Sequence, residues 1–105
     1  MLIEIDSERG KQLGFTSDRF DFGSYLWEEQ DRIMVSLVSS KQKGNFKTLV
    51  DAIHSQRKSI AIPTPLGKMA ELVRRNGYVH SIEEDQFMGP VNIWTLDPPN
   101  PEDAP

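Results

Sequence analysis

Residues 32–53 read RIMVSLVSSKQKGNFKTLVDAI, and this stretch decides the fold that the sequence predicts. The opening RIMVSLV predicts a β-strand because it is rich in β-branched and apolar residues. Apolar side chains on both of its faces indicate a central position in a sheet. After a polar loop, apolar residues recur at i, i+3, i+4 and i+7, and these are Phe46, Leu49, Val50 and Ile53. That spacing predicts an α-helix that buries one face.

The loop between this strand and this helix is basic, although the chain as a whole carries a formal net charge of −4. Lys41, Lys43 and Lys47 surround Gly44. The start of a helix presents unpaired backbone N–H groups and a partial positive charge, so it attracts anions and disfavours nearby cations. Glycine lets the backbone approach a ligand closely. The loop therefore predicts a phosphate or pyrophosphate site, and ordinary solvated lysines are the alternative interpretation.

Outward from this stretch, the sequence predicts an α/β or α+β domain whose sheet carries two covering helices. Besides RIMVSLV, strands are predicted at residues 1–5, 24–29, 59–62, 78–82 and 91–96. The second helix is predicted to begin with Thr64 as its N-cap and Pro65 in its first turn, and to end at Gly77. Residues 7–14 predict a turn or a single helical turn, and residues 83–89 predict an acidic hairpin loop.

Length and composition limit what this chain can be. Its 105 residues suffice for one domain, predicted over residues 1–97, followed by a mobile tail rich in proline and acids at residues 98–105. The lack of cysteine excludes disulfides and thiol nucleophiles, and no cluster of His, Asp and Glu has metal-ligand spacing, so no metal is expected. No apolar run has the length of a membrane span, and residues 1–10 lack the order of a signal peptide. These features predict a cytoplasmic protein without a membrane partner.

The order of elements over residues 23–96 resembles the C-terminal part of the GCN5-related N-acetyltransferase family. In that order a strand ends in a glycine-containing loop, and a helix, a strand, a second helix and a terminal hairpin follow. The second helix ends in glycine and an aromatic residue, here Gly77 and Tyr78. The resemblance implies an acyl-CoA N-acyltransferase-like fold, with a mixed and mostly antiparallel sheet and two covering helices. It also implies acetyl-CoA as a co-substrate.

The resemblance places a CoA site on the basic loop and on the end of the preceding strand. In the family, the loop amides bind the pyrophosphate and the strand backbone contacts the pantetheine arm. The positions that this implies here are Ser36, Leu37, Val38, Lys41, Gln42, Lys43, Gly44, Asn45 and Lys47. Two positions depart from the family motif, because Lys41 replaces a glutamine or arginine and Phe46 replaces a small residue. Phe46 also begins the apolar helical stripe, which favours packing in the core.

Acetyl transfer to an amine needs a base that accepts the ammonium proton. The candidates are Glu28 and Glu29, which end the strand next to the pantetheine strand, and His80, because histidine titrates near neutral pH. Solvated strand-end charges and an exposed strand histidine are the alternative interpretations. The positions of the family's tyrosine acid and helix asparagine correspond to Val73 and Leu66, neither of which can donate a proton.

Three hypotheses of function remain open on these observations. The first is a minimal acyl-CoA-dependent N-acetyltransferase, and the second is a non-catalytic interaction protein of the same fold, of the phage or mobile-element accessory type. Because the segment before Gly23 is too short for the family's first helices, we expect an acceptor pocket that is reduced or is completed by a protein partner or a second copy. The third is a nucleic-acid contact at the lysines, which the net charge of −4 disfavours.

Overall fold

The computed structural model describes residues 1–99, of which Leu37 is described by its backbone alone. The strands are β1 (Leu2–Glu4), β2 (Tyr25–Glu29), β3 (Arg32–Leu37), β4 (Ser59–Pro63), β5 (Val79–Asp85) and β6 (Gly89–Leu96). The helices are α1 (Glu8–Gln12), α2 (Asn45–Ser55) and α3 (Lys68–Arg75). The strands form one sheet in the order β1-β2-β3-β4-β6-β5. Strands β3 and β4 are parallel and all other neighbours are antiparallel, which confirms the predicted α+β class and mixed, mostly antiparallel sheet.

The core lies between the helices and one face of this sheet. One apolar cluster joins buried residues of β3, β4, α2 and α3, namely Ile33, Val35, Ile60, Ile62, Leu49, Ile53 and Val73. Near β1 the cluster also contains Phe15 and Phe20, whose ring centroids lie 5.2 Å apart. Because the predicted stripe of α2 faces this cluster, the helix expected from the apolar spacing in residues 46–53 is confirmed.

A helix precedes β2 where the sequence predicted a turn or a single helical turn, so the expected two helices are corrected to three within residues 1–99. Ser7 caps α1, since its Oγ accepts a hydrogen bond from the Gly10 amide at 3.0 Å and donates one to the Glu4 carbonyl at 2.7 Å. The side of α1 that faces β1 is occupied by Gly10, which is buried. The missing side chain of this glycine lets the short helix pack directly against the strand.

The predicted start of α3 was wrong by one turn. The helix begins at Lys68 with Gly67 as its N-cap, and Thr64 and Pro65 lie before it. The Thr64 amide donates to the Asn92 carbonyl at 2.8 Å, and Thr64 has a positive φ of 43°. Because the sheet holds the backbone of Thr64 in this conformation, the chain needs several more residues before it can begin the helix.

The terminal hairpin is longer than the sequence predicted. Glu83, Glu84 and Asp85 were expected in a loop, but they extend β5 and pair with residues at the start of β6. The turn is consequently short, and the Asp85 carboxylate closes it by accepting hydrogen bonds from the amides of Phe87 at 2.8 Å and Met88 at 3.0 Å. Gly89, which pairs with Asp85 across the turn, has a positive φ of 74°, so side chain to backbone bonds and a glycine together form this turn.

Two further expectations from the sequence concern the C-terminal tail and a membrane-spanning segment. Residues 100–105 of the tail predicted at residues 98–105 lie outside the described residues. Among residues 1–99, no helix combines the length and apolarity needed to cross a lipid bilayer. Tyr78, which follows Gly77, is buried, and burial raises its pKa to about 12.

Candidate functional site

The basic loop that follows β3 is held in place by an earlier segment of the chain. The Asp21 amide donates to the Ser39 carbonyl at 2.8 Å, and the Lys41 amide donates to the Arg19 carbonyl at 2.8 Å. The Asn45 side chain donates to the same Arg19 carbonyl at 2.8 Å. These bonds fix the path of the loop. They also give the backbone N–H of Lys41 and the side-chain amide of Asn45 an acceptor within the protein. Among the predicted CoA-binding residues, Asn45 therefore has a structural role.

The start of α2 offers backbone donors that remain free. Gly44 is its N-cap with a φ of +94°, no side chain caps the helix, and its first turn contains no acid. Within residues 1–99, four amides of this region donate to no acceptor, and they belong to Lys43, Gly44, Phe46 and Lys47. An anion at this point would accept hydrogen bonds from these amides and interact favourably with the helix dipole.

The lysines of the loop differ in their contacts. Lys41 and Lys43 are exposed, and within residues 1–99 neither side chain forms an ion pair. Lys47 pairs with Asp51 one turn further along α2 at 3.0 Å, and both of these side chains are exposed. Because exposed pairs of this kind contribute little stability, Lys47 can leave Asp51 for a ligand at small cost. Gln42 lies in the same turn, where its amide donates to the Ser40 Oγ at 3.3 Å.

The parallel strands β3 and β4 stop pairing before they end. Their register covers three residue pairs, from Arg32 opposite Ser59 to Met34 opposite Ala61. Beyond Met34, β3 continues to Leu37, and no further pair between these two strands is present in residues 1–99. The predicted pantetheine-binding residues thus lie beyond the last pair of β3 with β4, where Ser36 is exposed and Val38 is half-buried. Strand backbone that is not paired on one side can form hydrogen bonds with an extended ligand.

A groove of about 520 Å³ runs along α2 toward the end of β6. It begins at Gly44 and Lys47 and continues between α2 and α3, where Phe46, Val50 and Leu72 line it. Phe46 also packs against the core cluster, in agreement with its predicted packing role. The start of α2 therefore borders one end of this groove.

Glu28, a candidate base, is held by two cations. Its carboxylate accepts two hydrogen bonds from Arg9 of α1, at 3.0 and 2.6 Å, and pairs with Lys58 at 2.9 Å. The hydrogen bonds from Arg9, followed by those from Lys58, lower the pKa of Glu28 to about 2. A carboxylate with so low a pKa is a weak base at neutral pH. The geometry gives Glu28 a structural role in fastening α1 to the sheet.

Glu29, the adjacent candidate, points to the opposite face of the sheet because successive strand residues alternate. It pairs with Arg32 at 3.0 Å, and Arg32 also pairs with Glu83 of β5 at 2.6 Å. These three residues, which we call the clasp, connect the β2–β3 turn to the terminal hairpin. The Arg32 guanidinium lowers the pKa of Glu83, and Glu83 and then Glu29 raise the pKa of Arg32.

His80, the third candidate, lies on the edge strand β5. Its Nε2 is 2.8 Å from the Asn92 Oδ1, and its ring packs on Trp94 with centroids 4.9 Å apart. Strands β3, β4 and β6 separate it from Glu28 on β2. The structure therefore does not bring the three candidate bases together, and a catalytic role for any of them stays a prediction.

Sequence reasoning missed the clasp and the segment of residues 19–24 that holds the basic loop. Arg32 and Glu83 are 51 residues apart in the chain, and no local pattern connects them. Within residues 1–99, no group of three or more His, Asp and Glu side chains is placed to hold a metal ion.

The clasp gives a testable effect of pH on stability. Glu83→Gln should lower the free energy of unfolding at neutral pH by about 0.5–1 kcal/mol, because an ion pair on an exposed hairpin is lost. Since Arg32 lowers the pKa of Glu83 in the folded protein, this stabilisation is present above the ordinary glutamate pKa and is lost as the pH falls through the folded value. Urea denaturation at several pH values measures both effects. Glu84→Gln, which changes an exposed neighbour outside the clasp, should have no comparable effect, and equal losses would contradict this role of Glu83.

Comparison of the chain with protein-family models, with curated proteins and with solved structures found no match.

Proposed function

We propose that this protein binds a CoA-type molecule through its pyrophosphate, in a domain with the acetyltransferase-like fold that its element order implies. The observation that carries the proposal is the end of the parallel pair. The pairing of β3 with β4 ends at Met34 and Ala61, and the free amides lie in the loop after β3 and in the first turn of α2. In open sheets with parallel strands, ligands bind at the carboxyl ends of those strands, and a helix start at that point accommodates phosphate.

In the proposed complex, the pyrophosphate accepts hydrogen bonds from the free amides of Gly44, Phe46 and Lys47. Lys41 and Lys43 supply positive charge without having to leave an internal partner. The pantetheine arm lies along the part of β3 that follows Met34. There it forms the backbone hydrogen bonds that a paired neighbouring strand would otherwise form. The Phe46 side chain does not compete for this position, since it packs against the core and lines the groove.

With acetyl-CoA as the co-substrate, the proposed reaction is N-acetyl transfer to an amine. The ammonium first loses a proton to a base, and the resulting amine nitrogen forms a bond to the thioester carbonyl carbon. The carbon–sulfur bond then breaks, the nitrogen gives up a second proton to water, and the leaving CoA thiolate takes a proton from water. Of the three candidate bases, Glu29 lies on the outward face at the end of β2 and is the more accessible of the two glutamates.

A non-catalytic interaction protein is the second candidate function. It is favoured by the positions of Glu28 and His80, which occupy separate contacts on different strands. Val73 and Leu66, which correspond to the family's proton donor and asparagine, carry no polar group. This second candidate predicts CoA binding that is weak or absent and a protein partner that a pull-down recovers. Only the first candidate predicts release of free CoA from acetyl-CoA in the presence of an amine.

Calorimetric titration with CoA tests the binding proposal. The wild-type chain should bind CoA, and Lys43→Glu should weaken binding at least tenfold because a negative charge is placed beside the free amides. Lys68→Glu is the matched control, since Lys68 is an exposed lysine at the start of α3. It should change the affinity for CoA by no more than about twofold, because Lys68 lies on another helix and does not line the groove at the start of α2, and exposed charges are screened by salt. No binding at millimolar CoA, or equal losses in both variants, would refute the proposed site.

A further inference from the structure

The sheet exposes a patch of large apolar side chains at its β1 edge. The members of this aromatic patch are Leu2, Phe22, Tyr25 and Trp27, which are 46%, 80%, 40% and 42% exposed. Leu2 and Trp27 are cross-strand neighbours, and Leu2, Phe22 and Tyr25 line one hollow, so the patch is continuous. On the next strand Met34 lies opposite Trp27 and extends the apolar surface toward the middle of the sheet.

The patch combines a projecting ring with a hollow on one surface. Phe22 lies in a turn closed by a hydrogen bond from the Ser24 amide to the Asp21 carbonyl at 3.2 Å, and its ring projects into solvent. The hollow beside it has a volume of about 560 Å³ and is lined by Leu2, Glu4 and Ile5 together with Phe22 and Tyr25. A two-fold rotation beside such a surface inserts Phe22 of each copy into the hollow of the other, which is the self-complementarity that an isologous dimer requires.

The composition and extent of the patch also suit a second copy. Aromatic residues and methionine are enriched at interfaces, and the charged residue that lines the hollow is Glu4. From typical side-chain areas, the four residues expose on the order of 400 Å². A stable interface buries about 800 Å² on each partner, so the patch supplies roughly half, and the exposed Met1 and the walls of the hollow can supply the rest.

We propose that the aromatic patch is the interface of a homodimer, in which Phe22 of each copy occupies the hollow of its partner. The edge strand β1 pairs with β2 on one side, and on its other side the Glu4 carbonyl accepts hydrogen bonds from the Ser7 amide at 3.2 Å and the Ser7 Oγ at 2.7 Å. Because α1 covers this part of the edge, the second copy lies across the face of β1 and β2 that carries the patch. The interface lies at the opposite end of the sheet from the β5–β6 hairpin and does not depend on CoA binding.

Sedimentation velocity of the full chain from micromolar to millimolar concentration tests the interface. The wild type should reach the mass of a dimer, and Phe22→Ser should raise the dimer dissociation constant at least tenfold. Leu2→Thr, which alters a wall of the hollow and suits a strand, should act in the same direction. Circular dichroism checks that each variant remains folded.

Phe87→Ser is the matched control, because Phe87 is 92% exposed at the turn of the distant β5–β6 hairpin. It should leave the dissociation constant unchanged. A wild type that stays monomeric at millimolar concentration would overturn the proposal. So would a Phe87→Ser variant that weakens association as much as Phe22→Ser, because association would then be a general effect of exposed apolar side chains.

Discussion

Gly10→Ala is expected to lower the free energy of unfolding by about 2–3 kcal/mol, although the same change in an ordinary helix raises stability by about 1 kcal/mol. The sign reverses because a Cβ at this position would lie 2.6 Å from the Glu4 carbonyl oxygen and 3.0 Å from the Phe15 carbonyl oxygen. Both neighbours are backbone atoms held by hydrogen bonds, so neither can move aside at low cost. The displaced helix would also strain the Ser7 bonds that join α1 to β1.

Urea denaturation of Gly10→Ala beside Lys11→Ala separates the clash from helix propensity. Lys11 is an exposed residue of the same helix, and its replacement should change the free energy of unfolding by no more than about 0.5 kcal/mol. A Gly10→Ala variant at least as stable as the wild type would contradict the close approach of α1 to β1.

Glu28→Gln is expected to lower the free energy of unfolding by about 2 kcal/mol at neutral pH, because it leaves two cations without their shared carboxylate. The side chain of Glu28 is 14% exposed, and those of Arg9 and Lys58 are also largely covered, so water replaces the lost contacts poorly. Glu29→Gln is the matched control. Its carboxylate is 42% exposed and pairs with Arg32, so the loss should stay below about 1 kcal/mol.

The effect of Glu28→Gln should depend on pH with a defined sign. The pKa of Glu28 falls from 4.5 to about 2 on folding, so the carboxylate stabilises the folded state above pH 4.5 and loses this effect as the pH falls toward 2. The difference between the wild type and the variant should therefore shrink over that range. If Glu28→Gln instead kept full stability and abolished acetyl transfer, Glu28 would be the catalytic base and its structural assignment would be wrong.

Local patterns predicted much of the fold correctly. The alternation and β-branched content of RIMVSLV and the apolar spacing that begins at Phe46 each lie within a few residues, and β3 and α2 form where they indicate. The errors occur where a distant contact competes with a local preference. Thr64 and Pro65 have the composition of a helix start, but a hydrogen bond from the Thr64 amide to the Asn92 carbonyl keeps this segment with the sheet.

The basic loop before α2 could be read from the sequence, but the bonds within it could not. A lysine-rich loop with Gly44 before a helix indicated an anion site, and the structure leaves amides free there. The use of Asn45 to bind the Arg19 carbonyl could not be foreseen, because its partner lies 26 residues earlier in the chain. The same holds for Glu28, whose partner Arg9 lies 19 residues away.

By itself, the sequence determined the types of most elements and the basic character of the loop before α2, because periodicity, turn residues and charge are local properties of a chain. Only the tertiary structure decided that α1 packs through Gly10 and that the pairing of β3 with β4 ends at Met34 and Ala61. It also decided which carboxylates are neutralised by cations and which aromatic side chains remain exposed. These features depend on hydrogen bonds, ion pairs and contacts between residues far apart in the chain, which the order of amino acids specifies only through the folded backbone.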